Sequence, residues 1–200
     1  MMLVEVTTVP QAVLPVAAFK EHLRLGTGFS DADIQDGLLE AHLRAALAAI
    51  EARTGKILIA RDFRWSLGKW RDADCQPLPV APVAAIASVV MVDAAGVEIT
   101  LPDSRWALVP DAHRPQLAAC GPRLPEVPQG GTVQITMTAG YGADWTDLPD
   151  DLAQAVLMLA AHYYEHRHAV TAQPQGLPEP IQALIAGYRS LRLFMGGGYA

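Results

Sequence analysis

Residues 54–67, Thr-Gly-Lys-Ile-Leu-Ile-Ala-Arg-Asp-Phe-Arg-Trp-Ser-Leu, mark the point at which the sequence changes from a helical to an extended pattern. Upstream, apolar residues recur every three or four positions until the Thr54–Gly55 pair ends the helix. Downstream, Phe63, Trp65 and Leu67 alternate with polar residues, which predicts a strand with one buried face. A helical part therefore gives way to a β part within this stretch.

Two helices are predicted before this stretch. The first follows Pro15, a residue suited to the first turn of a helix, and ends before Gly26. The second begins after Ser30, whose hydroxyl can cap it, and continues to Thr54. Its apolar residues recur at helical spacing: Ile34, Leu38, Leu39, Leu43, Leu47 and Ile50.

Residues 58–142 are predicted to form a small antiparallel β unit. Residues 86–92 and 97–101 flank a short loop that contains Gly96, which is the usual pattern of a β-hairpin. Residues 133–138 alternate between apolar and polar side chains, which predicts a further strand. The predicted strands are 61–67, 86–92, 97–101, 106–109 and 133–138.

Helical spacing returns after the β unit. A third helix is predicted from Pro149 to about His168, and Pro178 opens a fourth helix that ends near Leu191. This order predicts an α+β fold with a core of about four helices and the β unit inserted between the second and third helices. The predicted organisation is one domain, 1–200, with a helical part at 15–55 and 149–191, the β insertion at 58–142 and a flexible, glycine-rich tail at 192–200.

The composition excludes several classes of protein. The 15 Lys and Arg residues against 21 Asp and Glu residues give a net charge of −6, so stable binding to nucleic acid is not expected. A hydrophobic content of 51% and a mean hydropathy of +0.19 favour an oligomer. The apolar stretches are too short to cross a bilayer and no secretory signal is seen, which predicts a cytoplasmic protein. Cys75 and Cys120 are far apart, which indicates reduced thiols.

One segment carries a candidate catalytic motif. His162-Tyr-Tyr-Glu-His166 fits the His-x-x-Glu-His pattern of inverted zinc peptidases, in which two imidazoles lie one helical turn apart. Glu179 is a candidate third ligand for such a site. Alternatively, the motif is a helix end, where His166, Arg167 and His168 are favoured near the negative terminus of the helix. The sequence contains no nucleophile elbow, phosphate loop or dinucleotide fingerprint.

Seven segments, taken in order, resemble the head-to-tail connector (adaptor) family of tailed bacteriophages and gene transfer agents. The likeness covers most of residues 15–190, and its specificity comes from the order and spacing of the segments. The segments are Phe19-Lys-Glu-His-Leu-Arg-Leu25, Ala48-Ala-Ile-Glu-Ala-Arg-Thr-Gly55, Asp62-Phe-Arg-Trp65, Pro77-Leu-Pro-Val-Ala-Pro-Val83, Val90-Met-Val-Asp-Ala-Ala-Gly96, Thr138-Ala-Gly-Tyr-Gly142 and Ala161-His-Tyr-Tyr-Glu-His-Arg167.

The resemblance implies a structural protein of the virion or phage-like particle, assembled in the bacterial cytoplasm. It implies a dodecameric ring of copies, docked beneath the portal protein at the head–tail junction. The lumen of that ring would continue the DNA channel toward a stopper or tail-completion protein, and DNA would pass without specific binding. No enzymatic activity, catalytic residue, cofactor, metal or membrane contact is implied.

The resemblance also implies that the carboxyl-terminal portion binds the portal. Apolar anchors and positive charges in that portion are the expected contact residues: Arg189, Arg192, Phe194, Met195 and Tyr199. Two alternatives remain open at this point, a zinc-dependent hydrolase that uses His162, Glu165 and His166, and a stopper or tail-completion protein one layer further down.

Overall fold

The change from helix to strand predicted at residues 54–67 is present in the structure, where α-helix ends at Thr54 and β-strand begins at Arg61. In the computed structural model the described residues are 2–24, 32–167 and 176–189, and of residues 32–34 only the backbone is described. This part of the chain forms four α-helices and eight β-strands. The helices are α1 (Val16–His22), α2 (Ala32–Thr54), α3 (Asp150–Glu165) and α4 (Glu179–Ile185). The strands are β1 (Met2–Glu5), β2 (Arg61–Leu67), β3 (Cys75–Pro77), β4 (Val83–Val92), β5 (Glu98–Thr100), β6 (Trp106–Val109), β7 (Gln116–Ala119) and β8 (Thr132–Ala139).

The helices enclose one hydrophobic core. The pair α2 and α3 is central, α1 packs against both, and α4 packs against α3. Leu38 departs from the predicted stripe, because its side chain is 44% exposed. The cap predicted at Ser30 lies outside the described residues. The buried helical residues include Phe19, Leu39, Leu43, Leu47, Ile50, Leu152, Val156, Leu159, Ile181 and Ile185, as their spacing predicted.

The last two helices are shorter than predicted. α3 ends at Glu165, because His166 leaves helical geometry with φ −99° and ψ 12°. The α-helical hydrogen bonding of α4 ends at Ile185 and is followed by a 3-10 turn, Ala186–Tyr188. Arg189 is already extended, with φ −70° and ψ 123°.

Five strands form an antiparallel sheet in the order β1-β2-β8-β4-β5. The central pair, β2 and β8, places Trp65 directly opposite Ile135. One face of the sheet is therefore apolar and the other polar, as the alternation predicted. The residues buried on the apolar face of these two strands are Phe63, Trp65, Leu67, Val133, Ile135 and Met137.

The β part is larger than the predicted small insertion. A second, three-stranded sheet has the order β3-β7-β6, and its Trp106 and Leu117 belong to the same buried cluster as Trp65. Strands β3 and β7 are too short to show an alternating pattern. β1 precedes all the helices and is exposed on both faces, so it shows no alternation either. The fold is α+β, but the prediction of a β unit confined between the second and third helices is wrong.

One ion pair joins the helical core to the large sheet. The guanidinium of Arg61, at the start of β2, donates from Nη1 and Nη2 to the two carboxylate oxygens of Glu51 near the end of α2, at 2.9 and 2.7 Å. The same carboxylate accepts the backbone N–H of Leu58 at 2.8 Å. Glu5 of β1 lies 3.1 Å from Nε of Arg61. The side chains of Arg61 and Glu51 are only 8% and 12% exposed, so the pair is well shielded from water.

A buried lysine links the two parts at a second point. Lys56 is fully buried, and its Nζ donates to the carbonyl oxygen of Ala112 and lies 3.1 Å from Nδ1 of His113. Burial lowers the pKa of the Lys56 ammonium, and the negative charge of Asp111 partly opposes this effect. The loop at 111–113 is thereby held against the segment that leaves α2.

Replacing Glu51 by Gln is expected to lower the free energy of unfolding by about 3 kcal/mol, because the shielded Arg61 guanidinium loses its bidentate counter-charge. Urea unfolding followed by circular dichroism measures the change. The matched control is Glu40→Gln, which breaks the more exposed Glu40–Arg44 pair on α2 and should cost less than about 1 kcal/mol. Equal losses from the two substitutions would contradict a special role for Glu51.

The side chain of His42, on α2, packs against α3. Its ring meets that of Tyr164 edge to face, with centroids 5.9 Å apart. Its Nε2 is buried and finds no hydrogen-bond partner among the described residues. Burial, and then the positive charge of Arg167, lower the pKa of His42 from the ordinary value of 6.5. The folded protein therefore favours the neutral imidazole.

The lowered pKa of His42 predicts a loss of stability in mild acid. Below about pH 6.5 the unfolded chain takes up the proton before the folded chain does, so stability present at pH 7.5 declines as the pH falls. His42→Phe should reduce the difference in unfolding free energy between pH 7.5 and pH 5.5, and Arg167→Gln should reduce it in part. Leu38→Ala on the exposed side of α2 should retain the wild-type difference. An unchanged pH dependence in His42→Phe would contradict the assignment.

Candidate functional site

The histidine motif lies at the carboxyl end of α3. The backbone N–H of His166 donates to the carbonyl oxygen of His162 at 3.1 Å, and its ring Nδ1 lies 2.8 Å from the same oxygen. Because a carbonyl oxygen only accepts, Nδ1 of His166 carries the hydrogen of this contact. The two rings lie 4.2 Å apart between centroids. His166 thus closes the end of the helix, which agrees with the structural interpretation of the motif.

A groove with a volume of about 280 Å³ lies beside His162, between α1, α3 and α4. Burial, and then the neighbouring His166, lower the pKa of His162, whereas the charge of Glu165 opposes them. The groove includes His22 of α1, a proximity that the sequence did not indicate. The lining residues are His22, Met158, Ala161, His162, Glu165, Pro178 and Ile181.

The described geometry does not support the zinc-hydrolase alternative. The candidate third ligand, Glu179, does not line the groove, and neither does His166. Within residues 2–24, 32–167 and 176–189, no three His, Cys, Asp or Glu side chains are placed so that they could hold a metal ion. The described geometry therefore favours the interpretation of the His162–His166 motif as a helix terminus beside a groove.

The last described turn is anchored to the start of α3. The hydroxyl of Tyr188 donates to Oδ1 of Asp151 at 2.6 Å, and its ring meets that of Tyr141 edge to face at 6.5 Å. Burial, and then the hydrogen bond with Asp151, raise the pKa of the Tyr188 phenol. The sequence indicated only that Asp151 favours a helix start, because a contact between residues 37 positions apart leaves no local pattern.

Of the residues expected to bind the portal, the structure describes one. Arg189 is exposed and directly follows the anchored Tyr188. The other four, Arg192, Phe194, Met195 and Tyr199, lie outside the described residues. The anchor therefore fixes Tyr188, and with it the backbone that continues into Arg189, against the start of α3.

Three solved structures are similar to the chain over nearly its whole length. A chain in the neck of an empty gene transfer agent (GTA) particle, computed with C6 symmetry, has a TM-score of 0.90 and 52% identity, with 98% of this chain and 99% of that chain covered. A chain in the virion of a native GTA particle has a TM-score of 0.87 and 53% identity, with the same coverage of 98% and 99%. A chain in the neck of a native GTA particle, computed with C12 symmetry, has a TM-score of 0.84 and 49% identity, again with 98% and 99% covered.

A scan against protein-family models and a search of curated proteins gave no match. The structural matches nevertheless combine 49–53% identity with nearly complete coverage of both chains, which is a relationship of sequence as well as of fold. The sixfold and twelvefold symmetry of the matched necks indicates a ring of identical subunits. The chain therefore belongs to the head-to-tail connector (adaptor) family of gene transfer agent particles, in which it is a structural subunit of the head–tail junction and not an enzyme.

Proposed function

We propose that this connector forms a dodecameric ring beneath the portal and binds the portal through the segment that follows Tyr188. The observation that carries the proposal is the anchor between Tyr188 and Asp151, which presents the exposed Arg189 at a fixed point on the helical core. Beyond it the sequence supplies one further positive charge, Arg192, and apolar side chains that include Phe194, Met195 and Tyr199. Twelvefold symmetry in one of the matched necks supports twelve copies.

The portal contact of a single subunit is proposed to be weak. Ordering each residue of a segment that contains Gly196, Gly197 and Gly198 costs about 1–2 kcal/mol of conformational entropy. A ring offsets this cost because, once one segment is bound, the others bind at a high effective concentration. Firm attachment thus follows from repetition of the contact around the ring.

The opposite side of the ring is proposed to meet a stopper or tail-completion protein, with DNA passing through the lumen. The net charge of −6 supports a conduit in which DNA slides without specific binding, because like charges raise the cost of close approach. No helix in the described ranges is long and apolar enough to cross a membrane. We also propose that the helical core and the buried cluster of the β part act as one domain in the ring, since the Glu51–Arg61 pair and Lys56 connect them.

A chain shortened after Arg189 is expected to lose attachment to purified portal rings while it keeps the unfolding midpoint of the full chain. Co-sedimentation with portal rings measures attachment, and urea unfolding measures the fold. The control replaces Gly196, Gly197 and Gly198 by Ala, which keeps the apolar residues and lowers the entropy cost, so attachment should be retained or strengthened. Full attachment of the shortened chain would overturn the proposal.

Charge and apolar contact in this segment can be separated by two further variants. Phe194→Ser with Met195→Ser and Tyr199→Ser should weaken attachment at all salt concentrations, because the buried apolar area is lost. Arg189→Gln with Arg192→Gln should weaken attachment mainly at low salt, where exposed charges are poorly screened. The measurement is co-sedimentation across a salt series. Loss in neither variant would rule out these five residues as the portal contact.

A further inference from the structure

The exposed apolar residues are concentrated at the two ends of the five-stranded sheet. β1 forms one end and β5 the other, with three strands between them. Of the eight large hydrophobic residues that are exposed in the described part of the chain, six lie in or beside these two strands. They are Met2, Leu3, Val4 and Val6 at the β1 end, and Val97 and Ile99 at the β5 end.

Leu3 and Ile99 extend the apolar face of the sheet beyond its covered part. Leu3 lies opposite Trp65 in the β1–β2 pair, and Ile99 lies opposite Met91 in the β4–β5 pair. Trp65 and Met91 are both buried in the same cluster, at 2% and 6% exposure, whereas Leu3 and Ile99 are 37% and 59% exposed. Directly opposed residues project to the same face, so each end continues the core-facing side of the sheet into solvent.

Both ends also present open backbone groups. The N–H of Val6 donates to Asp62, so by alternation the backbone groups of Leu3 and Glu5 are directed away from β2. At the other end Leu101 donates to Val89, so the backbone groups of Glu98 and Thr100 are directed away from β4. Edge strands of monomeric proteins are commonly protected by Lys, Pro or a bulge. Both strands are short and each carries one Glu, Glu5 in β1 and Glu98 in β5, but neither contains a Lys or a Pro, and their open backbone groups leave both edges accessible to another chain.

A ring needs two different contact surfaces on opposite sides of each subunit. Each copy uses one surface to contact the neighbour on one side and the other surface to contact the neighbour on the other side. The two ends of this sheet are separated by four strand spacings, or about 19 Å. Four antiparallel steps bring β5 back to the direction of β1. A rotation about an axis can therefore place the β1 end of one copy beside the β5 end of the next, whereas contact between two β1 ends would require a twofold axis and would not extend into a ring.

We propose that the β1 end of one subunit packs against the β5 end of the next, so that Leu3 of one copy covers Ile99 and Val97 of its neighbour around the ring. The partner is a second copy of this chain. The proposal rests on ring assembly, to which it adds the residues that form the subunit contact. It accounts for the exposure of Leu3, Val97 and Ile99 in a single chain.

Cross-linking of particles tests the contact directly. In a chain whose Cys75 and Cys120 are replaced by Ser, Leu3→Cys and Ile99→Cys are introduced together, and purified necks are treated with dibromobimane, whose reach is far shorter than the separation of the two sites within one chain. A ladder of products from dimer to the complete ring is expected, with a linked peptide pair that contains positions 3 and 99. Each single cysteine variant should give no cross-linked product, so that only the single-chain species is seen after the treatment.

Other results of this experiment would overturn the contact. Intact rings in electron micrographs without a ladder would show that the two ends do not meet, and dimers from Leu3→Cys alone would show that like ends meet. Absence of rings in the cysteine-free chain without further changes would instead refute ring assembly itself. The failure of the contact and the failure of the proposed ring are therefore distinguished by the micrographs.

A second measurement uses surface charge. Ile99→Lys should lower neck occupancy by the equivalent of about tenfold weaker binding per contact, because a charge is placed in an apolar contact. Ile99→Val should retain occupancy. Leu38→Lys, which changes another exposed apolar residue, on α2 and away from the sheet ends, is the matched control and should also retain occupancy. Equal loss from Leu38→Lys and Ile99→Lys would overturn the assignment to the sheet ends.

Discussion

The carboxylate of Glu51 is the interaction on which the arrangement of the two cores depends. It binds the backbone N–H of Leu58 and the guanidinium of Arg61, and through Arg61 it reaches Glu5 of the amino-terminal strand. One residue near the end of α2 thereby sets where the chain turns, where β2 begins and where β1 docks. Because the charges are shielded from water, they attract each other more strongly than an exposed pair would, and they also need each other more.

The fold could be predicted from the sequence wherever a segment has one buried face and one exposed face. α2 and β2 meet this condition, since Leu39 and Leu43 follow helical spacing and Phe63 and Trp65 alternate with polar residues. β1 could not be predicted, because all four of its residues are exposed and its place in the sheet is set by Arg61 and the edge of β2. A strand held by backbone pairing and one ion pair carries no periodic signal.

The functional prediction depended on the resemblance of segments in order, and not on any chemical motif. His162 and His166 matched a catalytic pattern, yet the geometry of the helix end uses the second histidine to bind the carbonyl oxygen of the first. A motif of three fixed positions cannot distinguish these cases, because both need only one helical turn. The anchor from Tyr188 to Asp151 joins distant parts of the chain, so only the folded structure could reveal it.

The apolar composition of the chain acquires a physical explanation at the level of the assembly. Six of the eight large hydrophobic residues that are exposed in the described part of the chain lie at opposite ends of one sheet instead of being scattered. Scattered apolar residues would favour contacts in many directions, whereas two patches that differ in sequence favour contacts of one kind that close into a ring. The sheet, braced against the helices by Arg61, thus combines a rigid body with two different edges, which is the requirement for a ring of identical subunits.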